Sequence, residues 1–90
     1  MPNRALDIKK TLVAATSQQL LPENPLRTYA LIQNVGATDV YLGMGIDAVQ
    51  ARGILLLANG GAYEITAINP WHGSIAAISA GTPGITVVEW

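Results

Sequence analysis

His72 is the only histidine, and the six carboxylates Asp7, Glu23, Asp39, Asp47, Glu64 and Glu89 stand singly along the chain. Acid–base catalysis needs such groups within hydrogen-bond reach of one reacting atom, and no two of them share a motif spacing. With no cysteine, neither a thiolate metal site nor a disulfide can form. Gly43-Met44-Gly45 is a lone G-x-G without the third glycine and the helix of a dinucleotide loop. It reads as a strand end where backbones approach closely. No G-x-S-x-G and no H-E-x-x-H occurs. His72, beside Trp71 on a loop bounded by Pro70 and Gly73, reads as a surface or partner-facing residue. The expectation is a protein that is not an enzyme, with no catalytic, cofactor-binding or metal-binding residues.

Arg27 is the charge with most to say. It leads into an apolar strand, where a guanidinium seeks a carboxylate. Asp39 or Glu89 can supply one, so a structural ion pair at the end of a sheet is expected. The aromatics Tyr29, Tyr41, Tyr63, Trp71 and Trp90 offer two readings. One is a stacking platform for sugars. The other is a core with one subunit contact, the usual employment of aromatics in a small domain. Trp71, raised on its loop, is expected to face a partner.

These residues must be positioned by strands, because no helical period runs anywhere. Asn24-Pro25 delivers the chain into Arg27 and a strand over 28–35. Tyr29, Leu31, Gln33 and Val35 alternate there with Ala30, Ile32 and Asn34. A turn at Gly36-Ala37-Thr38-Asp39 leads to Val40–Met44, and 28–44 reads as a hairpin. Before it, Lys10–Thr16 reads as a first strand, Leu20 and Leu21 tuck under the sheet, and Pro22 and Pro25 forbid regular structure between. After it, Gly45–Gly53 is a loop or single helical turn. Gly53–Ala58 is an uninterrupted apolar run, expected to be a buried strand. Asn59-Gly60-Gly61 turns the chain into the alternating Ala62–Thr66. Ser74–Ala80 and Ile85–Trp90 complete the set, with Ile85, Val87 and Glu89 opposite Thr86, Val88 and Trp90. The sum is an all-β fold of about seven short strands, a small antiparallel β-sandwich, jelly-roll-like. Residues 1–9 read as an N-terminal arm and 10–90 as one domain.

Composition narrows the function. Charged residues are 12% of the 90, the net charge is −1, and mean hydropathy is +0.33. Ordinary soluble domains carry about 25% charged residues. So sparse a charge leaves much surface uncharged, and part of it is expected to be covered by copies of the chain or by a partner. Lys9-Lys10 is the only basic pair, too little for binding nucleic acid through its phosphates. No apolar run is long enough to span a bilayer, and Met1-Pro2-Asn3-Arg4 is not followed by a signal-peptide core. The absence of cysteine and of a signal fits synthesis in a cytoplasm.

Gln19-Leu20-Leu21-Pro22-Glu23-Asn24-Pro25-Leu26-Arg27, then Leu31-Ile32-Gln33-Asn34 and Asp39-Val40-Tyr41-Leu42-Gly43, resemble small virion proteins of tailed bacteriophages. Gly53–Leu57, Gly73–Ala80 and Val87-Val88-Glu89 continue the resemblance over residues 10–90. It implies a compact sandwich, often trimeric, attached to the particle as a head-decoration (cement) or fibre-associated protein made in the bacterial cytoplasm. The implied partners are the major capsid protein or another virion protein, together with further copies of the chain. Long fibre proteins have repeats and a separate receptor-binding part; this chain has neither, which favours the capsid surface. On that reading Arg4, Asp7, Lys9, Lys10, Trp71 and His72 are candidate capsid or partner contacts, and Tyr29, Leu31 and Trp90 candidate self-association residues. The runner-up is a carbohydrate- or receptor-binding module of a tail or head fibre, using Tyr41, Trp71 and His72.

Overall fold

The computed structural model describes residues 6–90. Eight strands follow one another: β1 (Leu6–Thr11), β2 (Gln18–Leu21), β3 (Ala30–Asn34), β4 (Val40–Met44), β5 (Ile54–Leu56), β6 (Ala62–Ile65), β7 (Ile75–Ser79) and β8 (Gly84–Glu89). They form two four-stranded sheets, in the orders β1-β8-β3-β6 and β2-β7-β4-β5, with every pairing antiparallel. Strands paired across long stretches of sequence, with the chain passing repeatedly from sheet to sheet, make the eight-strand jelly-roll order. The expected fold class is what the chain adopts.

Alternation explains the core. Ala30, Ile32 and Asn34 of β3 and Ile85, Val87 and Glu89 of β8 point between the sheets and are buried. Val40, Leu42, Leu56, Ile75 and Ala77 meet them from the other sheet. Each fully buried Leu or Ile side chain contributes about 1.5–3 kcal/mol of hydrophobic stabilisation. Strand β7 is buried along its whole length. It lies between β2 and β4, and its outward residues Ala76 and Ile78 are covered by Tyr41 and by Ala48 of the β4–β5 loop. That loop closes at Gly53, where φ is +80° and a Cβ would collide with the Leu42 carbonyl oxygen. Glycine is the residue such a position admits.

Several expectations are corrected. The first strand runs over 6–11 rather than 10–16, so residues 6–9 of the expected arm pair with β8, Asp7 opposite Val88 and Lys9 opposite Thr86. An edge strand tolerates these charges, which also discourage a further strand from adding there. Arg4 lies outside the described residues. Gln18–Leu21 is a strand in its own right, irregular between Gln19 and Leu21, which raises the number to eight. Residues 28–44 are not a hairpin: β3 and β4 belong to different sheets, and the Val35–Asp39 segment is an arch between them. The apolar run at 53–58 supplies a three-residue edge strand, not a buried one, with Leu55 and Leu57 outward and exposed.

Candidate interaction face and its support

Because Ala30 and Ile32 turn inward, Tyr29, Leu31 and Gln33 turn outward; because Val87 and Glu89 turn inward, Thr86, Val88 and Trp90 turn outward. Strands β3 and β8 are neighbours, so these six residues share one face at the middle of the β1-β8-β3-β6 sheet. Leu31 stands opposite Val88 and Gln33 opposite Thr86. Tyr29 and Trp90 exchange two backbone hydrogen bonds of 3.0 Å. Their rings stack with centroids 4.5 Å apart and planes inclined by 25°. All three residues expected to mediate self-association are thus side by side, with Trp90 37% exposed. Val88 joins them. Its outward direction follows from alternation, but its position beside Leu31 depends on a pairing between distant strands, which no local pattern reveals.

Charges border this face. Asp7 and Lys9 stand on β1 at one side, and Glu64 on β6 at the other. The Tyr29 hydroxyl donates to Glu64 Oε2 at 2.6 Å. That hydrogen bond, partial removal from water and the carboxylate's charge raise the phenol above its ordinary pKa of 10.0. Lys9 and Lys10 separate. Lys9 is exposed beside the face, whereas Lys10 reaches across the open side of the sandwich and donates to the Gln19 carbonyl of β2 at 3.5 Å.

Beneath one end of the face lies Arg27, 2% exposed. Its Nε donates to Glu89 Oε2. Its Nη1 donates to the carbonyls of Trp71 and Gly73, each at 3.0 Å, and its Nη2 to that of Pro22 at 2.8 Å. The guanidinium therefore fastens β8 to the 22–27 and 70–74 segments and is a structural group. Glu89 is the partner; Asp39 is not. Asp39 lies beyond the other end of β3, where its Oδ1 accepts from the Ala58 amide at 2.8 Å.

Trp71 corrects the expectation of a partner-facing ring. It is half-buried against the core, and its Nε1 donates to the Ser74 carbonyl at 3.1 Å. His72 is exposed, and its carbonyl accepts the Asn24 amide at 2.8 Å. Beside it is an open hollow of about 250 Å³ that Arg27, Thr66 and Pro70 also line. Among the described residues that line it, Arg27 and His72 alone are titratable, and Arg27 is already bound to Glu89. Tyr41 packs on the outside of the other sheet with Ala48, Ala76 and Ile78, in a different cluster from Trp71. Tyr41, Trp71 and His72 therefore do not make one stacking platform. A second hollow of about 270 Å³ lies under the β4–β5 loop, with an apolar floor of Leu42, Met44 and Val49 and with Asp47 and Arg52 around it. Among the described residues no three His, Asp or Glu side chains gather to hold a metal ion, and no helix is long and apolar enough to cross a membrane.

The residue that the sequence reading missed is Asn34, fully buried at the far end of β3. Its Nδ2 donates to the carbonyls of Thr38 at 2.8 Å and Leu56 at 3.2 Å, and its Oδ1 accepts from Gly36 at 3.0 Å. It joins β3 to the arch and to the opposite sheet. An asparagine ending an apolar strand is the one signal it gave.

Compared with known proteins, the chain matches no family model, no curated protein and no solved structure.

Proposed function

We propose that the chain is a structural virion protein of a tailed bacteriophage, a capsid-decoration (cement) protein. On this reading it self-associates, as a trimer, through the outer face of the β1-β8-β3-β6 sheet and binds the outer capsid surface. The observation that carries the reading is the convergence of Tyr29, Leu31, Val88 and Trp90 on one outward face that only sparse charges border. The jelly-roll order is one that viral capsid domains use, and lectin domains also. The fold is therefore compatible with the reading without selecting it. The resemblance of residues 10–90 to small virion proteins supplies the rest.

The mechanism is mass action. A subunit that bridges neighbouring capsomers binds only the assembled shell, and so stabilises it. On this reading Asp7 and Lys9, both exposed on β1, are contacts to the shell. His72, exposed at the Arg27 end, is a further contact.

The experiment is the native mass of the purified chain, by sedimentation equilibrium or native mass spectrometry, followed by co-sedimentation with capsids. A stable trimer that pellets with capsids supports the proposal. A monomer at high concentration that stays in the supernatant overturns it.

A further inference from the structure

We infer that Asn59-Gly60 is a self-modification site that the folded sandwich holds silent, and that Asn59 deamidates when the Asn34 end of the sandwich opens. The chemistry needs only solvent. The Gly60 main-chain nitrogen attacks Cγ of the Asn59 carboxamide, a C–N bond closes a five-membered imide, and ammonia leaves. Water then opens the imide at one carbonyl or the other, giving aspartate or its isoaspartyl isomer at position 59.

The chain confines this reaction to one place. Its five asparagines are Asn3, Asn24, Asn34, Asn59 and Asn69. Asn24 and Asn69 precede prolines, whose nitrogens carry no hydrogen to lose. Asn34 precedes the β-branched Val35, whose amide donates to the Gly84 carbonyl at 3.0 Å. Asn3 precedes the bulky Arg4. Asn59 alone is followed by glycine, where no side chain obstructs the attack. Both residues are exposed, and no described atom beyond Gly60 and its chain neighbours lies within 4 Å of where a Cβ would stand on Gly60.

The same place is locked by the fold. Asn59 has φ +62° and donates its amide to the Gly36 carbonyl at 2.8 Å. The nucleophile, the Gly60 nitrogen, donates to the carbonyl of buried Asn34 at 2.7 Å. Asn34 in turn donates its own amide to Gly61 at 2.7 Å. To react, the Gly60 nitrogen must leave the Asn34 carbonyl, lose its proton and swing onto the Asn59 side chain. The observed rate is then the intrinsic rate multiplied by the fraction of molecules open at this end. Closure after reaction is impaired. The isoaspartyl product lengthens the main chain by one carbon between two amides, one held by Gly36 of the arch and the other by Asn34 at the end of β3. The modified fraction thus records how long molecules have spent open.

The test incubates the full chain at neutral pH, under native conditions and unfolded in urea, and follows the one-dalton mass gain, released ammonia and isoaspartate. Peptide mapping then places the change. The expected result is modification at Asn59 alone, at least about tenfold slower in the native chain than in the unfolded one. Asn34→Ala, which frees the arch, should speed the native reaction several-fold. If that variant does not fold, the unsubstituted chain below its urea midpoint serves instead, and its rate should rise with urea. Equal rates in folded and unfolded chain, or modification centred on another asparagine, would overturn the inference.

Discussion

Arg27 and Glu89 are 62 residues apart in the sequence and form a buried ion pair where β3 begins and β8 ends. Glu89 alternates inward with Ile85 and Val87, so its carboxylate is delivered into the core by the same period that buries them. Burying an ion pair costs desolvation, which the contact between the two side chains and the three carbonyls that accept from the guanidinium offset. Removing one partner is therefore worse than removing both. Arg27→Ala is expected to lower stability in urea unfolding by about 3–5 kcal/mol. The double replacement Arg27→Met with Glu89→Leu should be milder than Arg27→Ala. An Arg27→Ala chain with an unchanged urea midpoint would show that the pair is not structural.

The pair also shows what was legible. An arginine entering an apolar strand announced a carboxylate partner, and both candidates were plausible by type. Choosing between them required knowing which strand lies beside β3. Asp39 looked near because a turn of suitable length joins β3 to β4, and a hairpin and a sheet-to-sheet arch present the same alternation. The difference lies in pairing between distant strands: β3 is hydrogen-bonded to β6 and β8, not to β4. The same limit misread Gly53–Ala58. Five apolar residues in a row suggest burial on both faces, yet β5 has only β4 beside it, so Leu55 stays exposed. Faces within a strand follow from a period of two. Position within a sheet does not.

Asn34 holds the opposite end of β3 as Arg27 holds the first. Replacing it with alanine strips the Thr38 and Leu56 carbonyls of their donor and Gly36 of its acceptor. Asn34→Ala is expected to cost about 2–3 kcal/mol, read as a lower urea midpoint with an unchanged slope. Asn34→Asp should do no better, because a carboxylate cannot donate to those carbonyls. A shift within experimental error in both variants would remove Asn34 from the structural account.

Tyr29 predicts a pH dependence at the alkaline end. Its phenol is raised above 10.0, first by the hydrogen bond it donates to Glu64. A raised value means that the folded chain favours the protonated phenol. The stabilising contribution is therefore complete below pH 10.0 and is lost as pH climbs through the raised value. Titration of tyrosinate absorbance should show a step above 10.0 that moves back toward it in Glu64→Gln. Superimposable curves for the two proteins would mean that the Tyr29–Glu64 hydrogen bond does not persist in solution.

The outer face makes the last prediction. Leu31 and Val88 are half-buried neighbours whose outward sides no other part of the described chain encloses. A lysine at either position keeps its stem on the sheet and its ammonium in water, so folding should change by no more than about 0.5 kcal/mol. Packed against a second copy, the same ammonium would be desolvated with only the cross-strand carboxylate, Glu64 beside position 31 or Asp7 beside position 88, to face it, a cost that weakens association. Leu31→Lys and Val88→Lys are thus expected to keep the β-sheet circular dichroism and the urea midpoint while reducing the native mass to that of one chain. The unsubstituted assembly should survive added salt, because apolar contacts are not screened. If the lysine variants assemble as well as the original chain, or if moderate salt dissociates it, then self-association runs through another surface and the Tyr29–Trp90 face is left for a different partner.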